Sequence, residues 1–357
     1  EGSRIVVGSG GIISRTWDAA RSWWSSVSGT TADLFDVDCL DPDRCTAVGD
    51  SGVILATTDG GASWSRQTSG VSVALRAVEL VPPNVGWVAG DDGTLLKTTD
   101  GGGSWSTRPA GVAVDLHDVG FTNASNGVVV GDSAALVTTN GGASWQFIAP
   151  APLYRYRAAA FSAESLLVMG GFFGPSPGSA GNPFVHTTTD RGTSFRYAAG
   201  FPATGDFQSA SAPDRGHLFV AGYQGRIYRS VNGGLTWSFE YTERQETIRG
   251  ISMYDSVHGF AVGDNGYINY TFDGGLYLAP PAPVSPGVGT TSAMPGPLVL
   301  GWRYLAGGVI STRIQISTDD QFEHDVVIDT AFPGMGTEYL FWNPAYGTRY
   351  YWRLMAE

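Results

Sequence analysis

The phrase TTDGGASW at residues 57–64 returns as TTDGGGSW at 98–105 and as TTNGGASW at 138–145, with looser copies at 16–23, 188–195, 230–237 and 271–278. Its third position is held by Asp18, Asp59, Asp100, Asn140, Asp190, Asn232 and Asp273, separated by 41, 41, 40, 50, 42 and 41 residues. A period near forty, kept over seven copies, assigns one supersecondary unit to each copy. Every unit has the same grammar. An alternating segment such as LRAVEL is followed by one ending in glycine such as GWVAG, then by TLLKTT running into the phrase, then by a short polar strand. Four strands per unit make a propeller blade, whereas a β-helix would want far shorter repeats. The expected fold is therefore an all-β, seven-bladed propeller over residues 1–279.

The phrase itself reads as a building element. Asp or Asn at its third position can accept backbone N–H groups of the turn that follows, and the glycine two residues on supplies the positive φ such a turn needs. The closing tryptophan (Trp23, Trp64, Trp105, Trp145, Trp237) offers a large apolar face to wedge between sheets. A catalytic carboxylate is needed once or twice, and Asn at 140 and 232 keeps the acceptor while removing the charge. The pattern Ser/Thr-x-Asp-x-Gly-x-Ser/Thr-Trp resembles the Asp box of the bacterial neuraminidase repeat. The fuller unit AVGDSGVILATTDGGASW resembles Asp-box propellers of the photosystem II assembly-factor type, which also occur in many secreted bacterial proteins. That resemblance covers residues 1 to 280, and the last copy departs from it with Tyr277 and Leu278. By this alignment the first blade lacks its innermost strand, so closure of the ring is left open.

Composition narrows the function. A net charge of -12 disfavours nucleic acid, whose phosphates need a cationic face. No apolar run approaches the roughly 18 residues that span a bilayer. Cys39 and Cys45 stand on either side of an Asp-Pro turn, within reach of a hairpin disulfide; a free pair is the alternative. Two thiolates without a neighbouring histidine make an incomplete metal site, and no metal or other cofactor is expected. A bridge would imply an oxidising compartment, hence a secreted or surface-displayed protein.

Residues 280–297 are rich in Pro, Gly, Ser and Thr and read as a connector. The strands after it, over 298–357, resemble a fibronectin type III sandwich lacking its last strand, with Trp302 as the core tryptophan and a tyrosine corner near NPAYGTRYYW.

Two features point to a binding face, at the end of the propeller where the innermost strands begin. Phe35, Arg76, His117, Arg157, Gln208 and Arg249 occupy equivalent positions there. Three arginines and a histidine converging in an acidic protein would attract anions, unless each is paired with an acid of the next blade. The fifth repeat also carries ten extra residues in GGFFGPSPGSAGNPF. Placed between the second and third strands, this loop would raise Phe172, Phe173 and Phe184 over the same face to meet a sugar ring or a partner surface; the alternative is that they fold back and pack.

A glycoside hydrolase of sialidase or xyloglucanase type is the enzymatic alternative. The N-terminal Arg-Ile-Pro signature of sialidases is absent from SRIVVG, and a xyloglucanase cleft needs two propellers and opposed carboxylates. The expectation is a non-catalytic binding or scaffolding module at the cell surface, with a protein or glycan partner. An assembly factor for a membrane complex is the further alternative.

Overall fold

The computed structural model describes residues 4–17, 23–148, 154–162, 166–173, 182–190, 194–198, 201, 206–240, 246–271, 282–285, 298–303, 311–318, 326–333, 338–341 and 351–356. The chain divides into two units, Glu1–Gly274 and Gly275–Glu357.

The first unit is a seven-bladed β-propeller of antiparallel sheets, numbered here as blades in chain order. Blade 2 shows the plan: Leu34–Cys39 lies innermost, followed outward by Cys45–Gly49, Ile54–Thr57 and Ser65–Gln67. Blades 3 to 6 repeat it, with inner strands Leu75–Val81, Leu116–Phe121, Tyr154–Ser162 and Phe207–Ser211. Three strands are described in blade 7, beginning with the inner strand Ile248–Met253. Three are described in blade 1, and Arg4–Val7 there corresponds to the second strand of the other blades. The ring nevertheless closes on itself: the Arg4 guanidinium lies 4.4 Å from the ring centre of Phe260 in blade 7, and Leu34 N–H of blade 2 donates to the Gly8 carbonyl at 3.1 Å.

The core is a series of layers between neighbouring blades. Trp87, Ala89 and Leu95 of blade 3 pack with Leu116, Val119 and Phe121 of blade 4, and Trp145 of blade 4 seals the layer. Trp145 meets Trp87 edge-on at 5.7 Å, and Trp87 stacks on Phe121 at 5.3 Å. Trp64, Trp105 and Trp237 join equivalent layers, with Phe195 taking the place in blade 5. These wedges are where burial of a large aromatic face contributes most.

The recurring phrase is a closed hydrogen-bonded turn. Asp59 Oδ1 accepts the Ser63 N–H at 2.9 Å and the Thr57 hydroxyl at 2.7 Å, while Ser63 Oγ–H donates to Oδ2 at 2.6 Å. Thr57 Oγ1 in turn accepts the Gly61 N–H, and Gly61 adopts φ 81°. The same bonds recur at Asp100, Asn140 and Asn232, and Asp190 makes its own to Thr188 and Ser194. With an amide, the side-chain N–H donates to the hydroxyl instead, as Asn140 does to Ser144 at 2.8 Å. Asp18 and Asp273 lie outside the described residues.

Toward the axis, inner strands of neighbouring blades are tied by side chains. Asp36 accepts Val78 N–H at 2.8 Å, Asp38 accepts Leu80 N–H at 2.6 Å, and Asp118 accepts Ala159 N–H at 2.8 Å. Ser209 and Ser211 do the same for Ile251 and Met253. Half-buried and packed under neighbouring inner strands, Asp36 and Asp118 have their carboxyls pushed up to about 7, first by desolvation. Asp38 is pushed up to about 6 for the same reason.

Cys39 and Cys45 are directly opposed across the first hairpin of blade 2 and joined by a disulfide, S–S 2.08 Å. Among its described residues the second unit holds two three-stranded sheets. In one, Leu298–Arg303 lies between Ala282–Ser285 and Glu338–Phe341; in the other, Ser311–Ser317 lies between Val326–Pro333 and Tyr351–Ala356. The strand Ala282–Ser285 falls within the expected connector, where paired backbone rather than free linker is found. The Trp302 side chain and the expected tyrosine corner lie outside what is described.

Candidate functional site

Six of the sequence-predicted residues share one structural cause. In blades 2 to 7 the register between the inner strand and its neighbour shifts across one residue near the start of the inner strand, as between Leu75 and Ala77, or between Tyr156 and Ala158 in the longer strand of blade 5. Phe35, Arg76, His117, Arg157, Gln208 and Arg249 are the residues in these bulges. An extra residue left out of the ladder is re-aimed away from the sheet, which brings these side chains to one end of the propeller.

What they meet there corrects the expectation of pairing with the next blade. Arg76 makes two bonds of 2.8 Å to Asp91, fifteen residues on and in its own blade. Arg249 grips Asp264 at 2.9 and 3.1 Å in the same way, and His117 Nε2 lies 3.0 Å from Asp132 Oδ1. The acids come from the turn between the second and third strands, where GDDG and GDNG place them. Those hydrogen bonds raise both guanidinium pKa values above their ordinary range. Gln208 donates instead to Asp206 at 2.6 Å. Phe35 has its ring beneath the Arg76 guanidinium at 4.9 Å.

Arg157 differs. Fifteen residues on, its blade offers Phe172, and the guanidinium lies 5.6 Å from that ring centre. Its nearest carboxylate is Asp132 of the preceding blade at 4.0 Å. Asp132 already binds Arg155 Nη1 and His117. Arg157 Nη1 points to the same His117 nitrogen that faces Asp132. One ring nitrogen cannot donate to a carboxylate and accept from a guanidinium at once. Two arginines and a histidine thus converge on one carboxylate, with all four side chains between 11% and 19% exposed. Burial lowers the pKa of Arg157 against the pull of Asp132, and burial lowers that of His117 against the hydrogen bond to Asp132. Asp132 stays below the usual carboxylate range: burial opposes its ionisation, but the His117 bond and the three neighbouring charges outweigh it.

The phenylalanine expectation is also corrected. The extra residues do fall between the second and third strands of blade 5, Leu166–Phe173 and Asn182–Thr188, but Phe172 and Phe184 are 3% and 8% exposed. The strands run on into the insertion and turn these rings inward, with Phe184 packed against Tyr154 and Tyr156. The Phe173 side chain lies outside what is described. His186, which sequence reasoning passed over, is buried in this aromatic cluster, and desolvation lowers its pKa to about 4. Arg155 and the axial aspartates were likewise missed. Among the described residues, no group of three or more His, Cys, Asp or Glu is placed to hold a metal ion, and no helix is long and apolar enough to cross a membrane.

Residues 15–114 match the family model of the photosynthesis system II assembly factor YCF48. No curated protein matches the chain. Among solved structures it is similar to the GH74 xyloglucanase from Xanthomonas campestris, at 17% identity and TM-score 0.61, covering 84% of this chain and 56% of that one. It is similar to the GH74 enzyme of Niastella koreensis at 16% identity and TM-score 0.62, covering 84% and 55%. YCF48 bound to a D1 peptide aligns at 18% identity and TM-score 0.44, covering 76% and 97%. The chain spans about half the length of the two GH74 enzymes. Likeness at such identities is a likeness of fold, and the fold it shows is the β-propeller.

Proposed function

We propose that this propeller is a non-enzymatic binding and scaffolding component that holds a carboxylate-bearing protein segment at Arg157. The observation that carries this reading is the shared use of Asp132. Arg76 and Arg249 are satisfied by acids of their own, whereas Arg155, Arg157 and His117 divide one, so an incoming carboxylate would find donors not fully used. A half-buried, planar guanidinium over an aromatic ring is suited to a charge-assisted, two-pronged bond. The match of residues 15–114 to an assembly-factor family supports a protein partner, within a multi-protein assembly. Burial of Phe172 and Phe184 removes the aromatic platform that favoured a glycan.

The Cys39–Cys45 bond supports an oxidising compartment, and we place the protein outside the cytoplasm. The second unit is read as a fibronectin type III-like spacer, supported by its two three-stranded antiparallel sheets. The test of the main reading is titration of acidic peptides by fluorescence anisotropy. Arg157→Gln, which removes the charge without placing a second carboxylate beside Asp132, should weaken binding at least tenfold with the fold retained by circular dichroism, and Arg249→Gln by much less. Equal binding by wild type and Arg157→Gln would dismiss the site.

A further inference from the structure

Among the six bulge residues, His117 is the one whose charge changes near neutral pH; Phe35, Gln208 and the three arginines keep one state across that range. It also stands where two demands meet. Asp132 Oδ1 lies 3.0 Å from His117 Nε2, and Arg157 Nη1 points at the same nitrogen. A proton on Nε2 satisfies the carboxylate and opposes the guanidinium N–H. A bare Nε2 accepts from Arg157 and sets its lone pair against Asp132. His117 Nδ1 has no hydrogen-bond partner among the described residues, so nothing on the far side of the ring fixes the tautomer.

Of the three groups, Asp132 has the least freedom to yield. Its N–H donates to the Asp115 carbonyl at 2.9 Å, and the next residue, Ser133, donates to the Tyr154 carbonyl of blade 5 at 3.0 Å. Arg155 Nη1 holds Oδ2, which leaves Oδ1 turned to the ring. Arg157 is anchored less. It sits in a bulge, its guanidinium is 4.0 Å from Asp132, and Phe172 offers it a ring face but no acceptor. Relief of the conflict therefore falls to Arg157 and to the proton on His117.

We propose that His117 is a positioning residue that latches Arg157: a bare Nε2 holds the guanidinium idle, and a proton on Nε2 gives the ring to Asp132 and releases Arg157 to an incoming carboxylate. The latch rests on the reading of Arg157 as the ligand-binding group, and it couples carboxylate capture to uptake of a proton. The charges around the ring set the direction. Burial first, then the positive charges of Arg157 and Arg76, hold His117 below its ordinary range against the pull of Asp132. A carboxylate seated on Arg157 offsets the charge of that guanidinium, so the ring gains a proton as the ligand binds. Asp132 is held below the usual carboxylate range and stays ionised meanwhile. Arg155 and Asp206 are the other charged groups beside Arg157, and they oppose one another. By linkage, affinity for a carboxylate rises as pH falls.

Blade 6 supplies the control. Its bulge holds Gln208, so glutamine fits the position, and an amide can donate to Asp132 while accepting from Arg157 without titrating. The probe is a rhodamine-labelled hexaglutamate peptide, followed by anisotropy with the 357-residue chain. Wild type should bind it about tenfold more tightly at about pH 5.5, where the peptide is still ionised, than at about pH 8. His117→Gln should bind it at both, with a ratio below about twofold. A second measurement needs no ligand: followed by NMR, the His117 ring should titrate at higher pH in Arg157→Gln than in wild type, because the guanidinium that opposes its proton is gone. If wild type and His117→Gln share one pH dependence, or if Arg157→Gln leaves the ring's titration where it was, the latch is overturned and the reading of Arg157 is untouched. If the peptide fails to bind wild type at either pH, the binding reading falls and the latch falls with it.

Discussion

The two ends of this propeller are built from the same repeats and obey opposite rules. At the end carrying the TTDGGASW turns, equivalent positions keep one job: Asp59, Asp100, Asn140 and Asn232 close the same turn with the same bonds, and the following tryptophans seal the same layer. At the other end, the bulge residues share a position but not one set of partners. Arg76 and Arg249 hold acids of their own, Gln208 bonds locally, and Arg157 shares an acid of the preceding blade. A ring of repeats needs uniformity where blades must interlock and can spend variation where they need not. Function is therefore to be sought where equivalents differ.

The sharpest way to break this contrast is to remove a wedge. Trp145→Ala deletes the ring that meets Trp87 and Phe121 between blades 3 and 4. A fully buried aromatic truncated to alanine costs about 3–5 kcal/mol, cavity included, and Trp145, half-buried, should fall at or just below the lower end, about 2–3 kcal/mol. Denaturant unfolding should show a loss of that size; a loss below about 1 kcal/mol would mean the layer does not depend on its seal.

A smaller effect, with a definite sign, is expected from the axis. The folded-state pKa values of Asp36 and Asp118, about 7, lie above the ordinary value of 3.8, so folding favours their protonated forms. Their contribution is present at low pH and is lost as pH rises from about 4 to about 7. His186 runs the other way: held at about 4, it favours folding when neutral and loses that contribution as pH falls from 6.5 toward 4. Several raised carboxyls outweigh one histidine, so chemical stability should fall between pH 5 and pH 8. Asp36→Asn, which keeps an acceptor for Val78 N–H, should flatten the profile. A profile rising over that range would contradict the account of desolvated axial acids.

Next in size is the turn. Asn140 accepts the Thr138 hydroxyl and the Ser144 N–H, each at 3.0 Å. Asn140→Ala should cost about 1 kcal/mol, the usual net value of such exposed bonds. Asn140→Asp should be close to neutral, because Asp100 makes the equivalent bonds as a carboxylate. If the two substitutions are equally harmful, the turn depends on something other than its acceptor.

The blades and the scaffolding role of the phrase were legible because both are periodic, and period survives in sequence even where pairing does not. The bulge was not. One extra residue in the ladder is invisible in LRAVEL, yet it aims Arg76 at Asp91, fifteen residues away in its own blade. The burial of Phe172 was hidden for a related reason: a Gly/Pro-rich insertion reads as exposed loop, while the strand runs on through Phe173. Asp36 and Asp38 carry no sign in the sequence of what they do, because in a narrow ring the polar side of an inner strand faces another strand's backbone.

The smallest effect is the one that most directly tests the difference between the ends. Arg249 and Asp264 make a well-formed fork, but their side chains are 56% and 41% exposed. Exposed pairs of this kind gain little, since water screens the attraction and two side chains lose freedom to hold the geometry. Arg249→Ala should therefore change stability by less than about 1 kcal/mol, and less still in high salt. Thermal unfolding of Arg249→Ala beside Asn140→Ala, at low and high ionic strength, makes the comparison in one experiment. If the arginine variant proves the more damaged of the two, the charged end is part of the masonry as well, and variation among its residues is no longer a guide to where this propeller meets its partner.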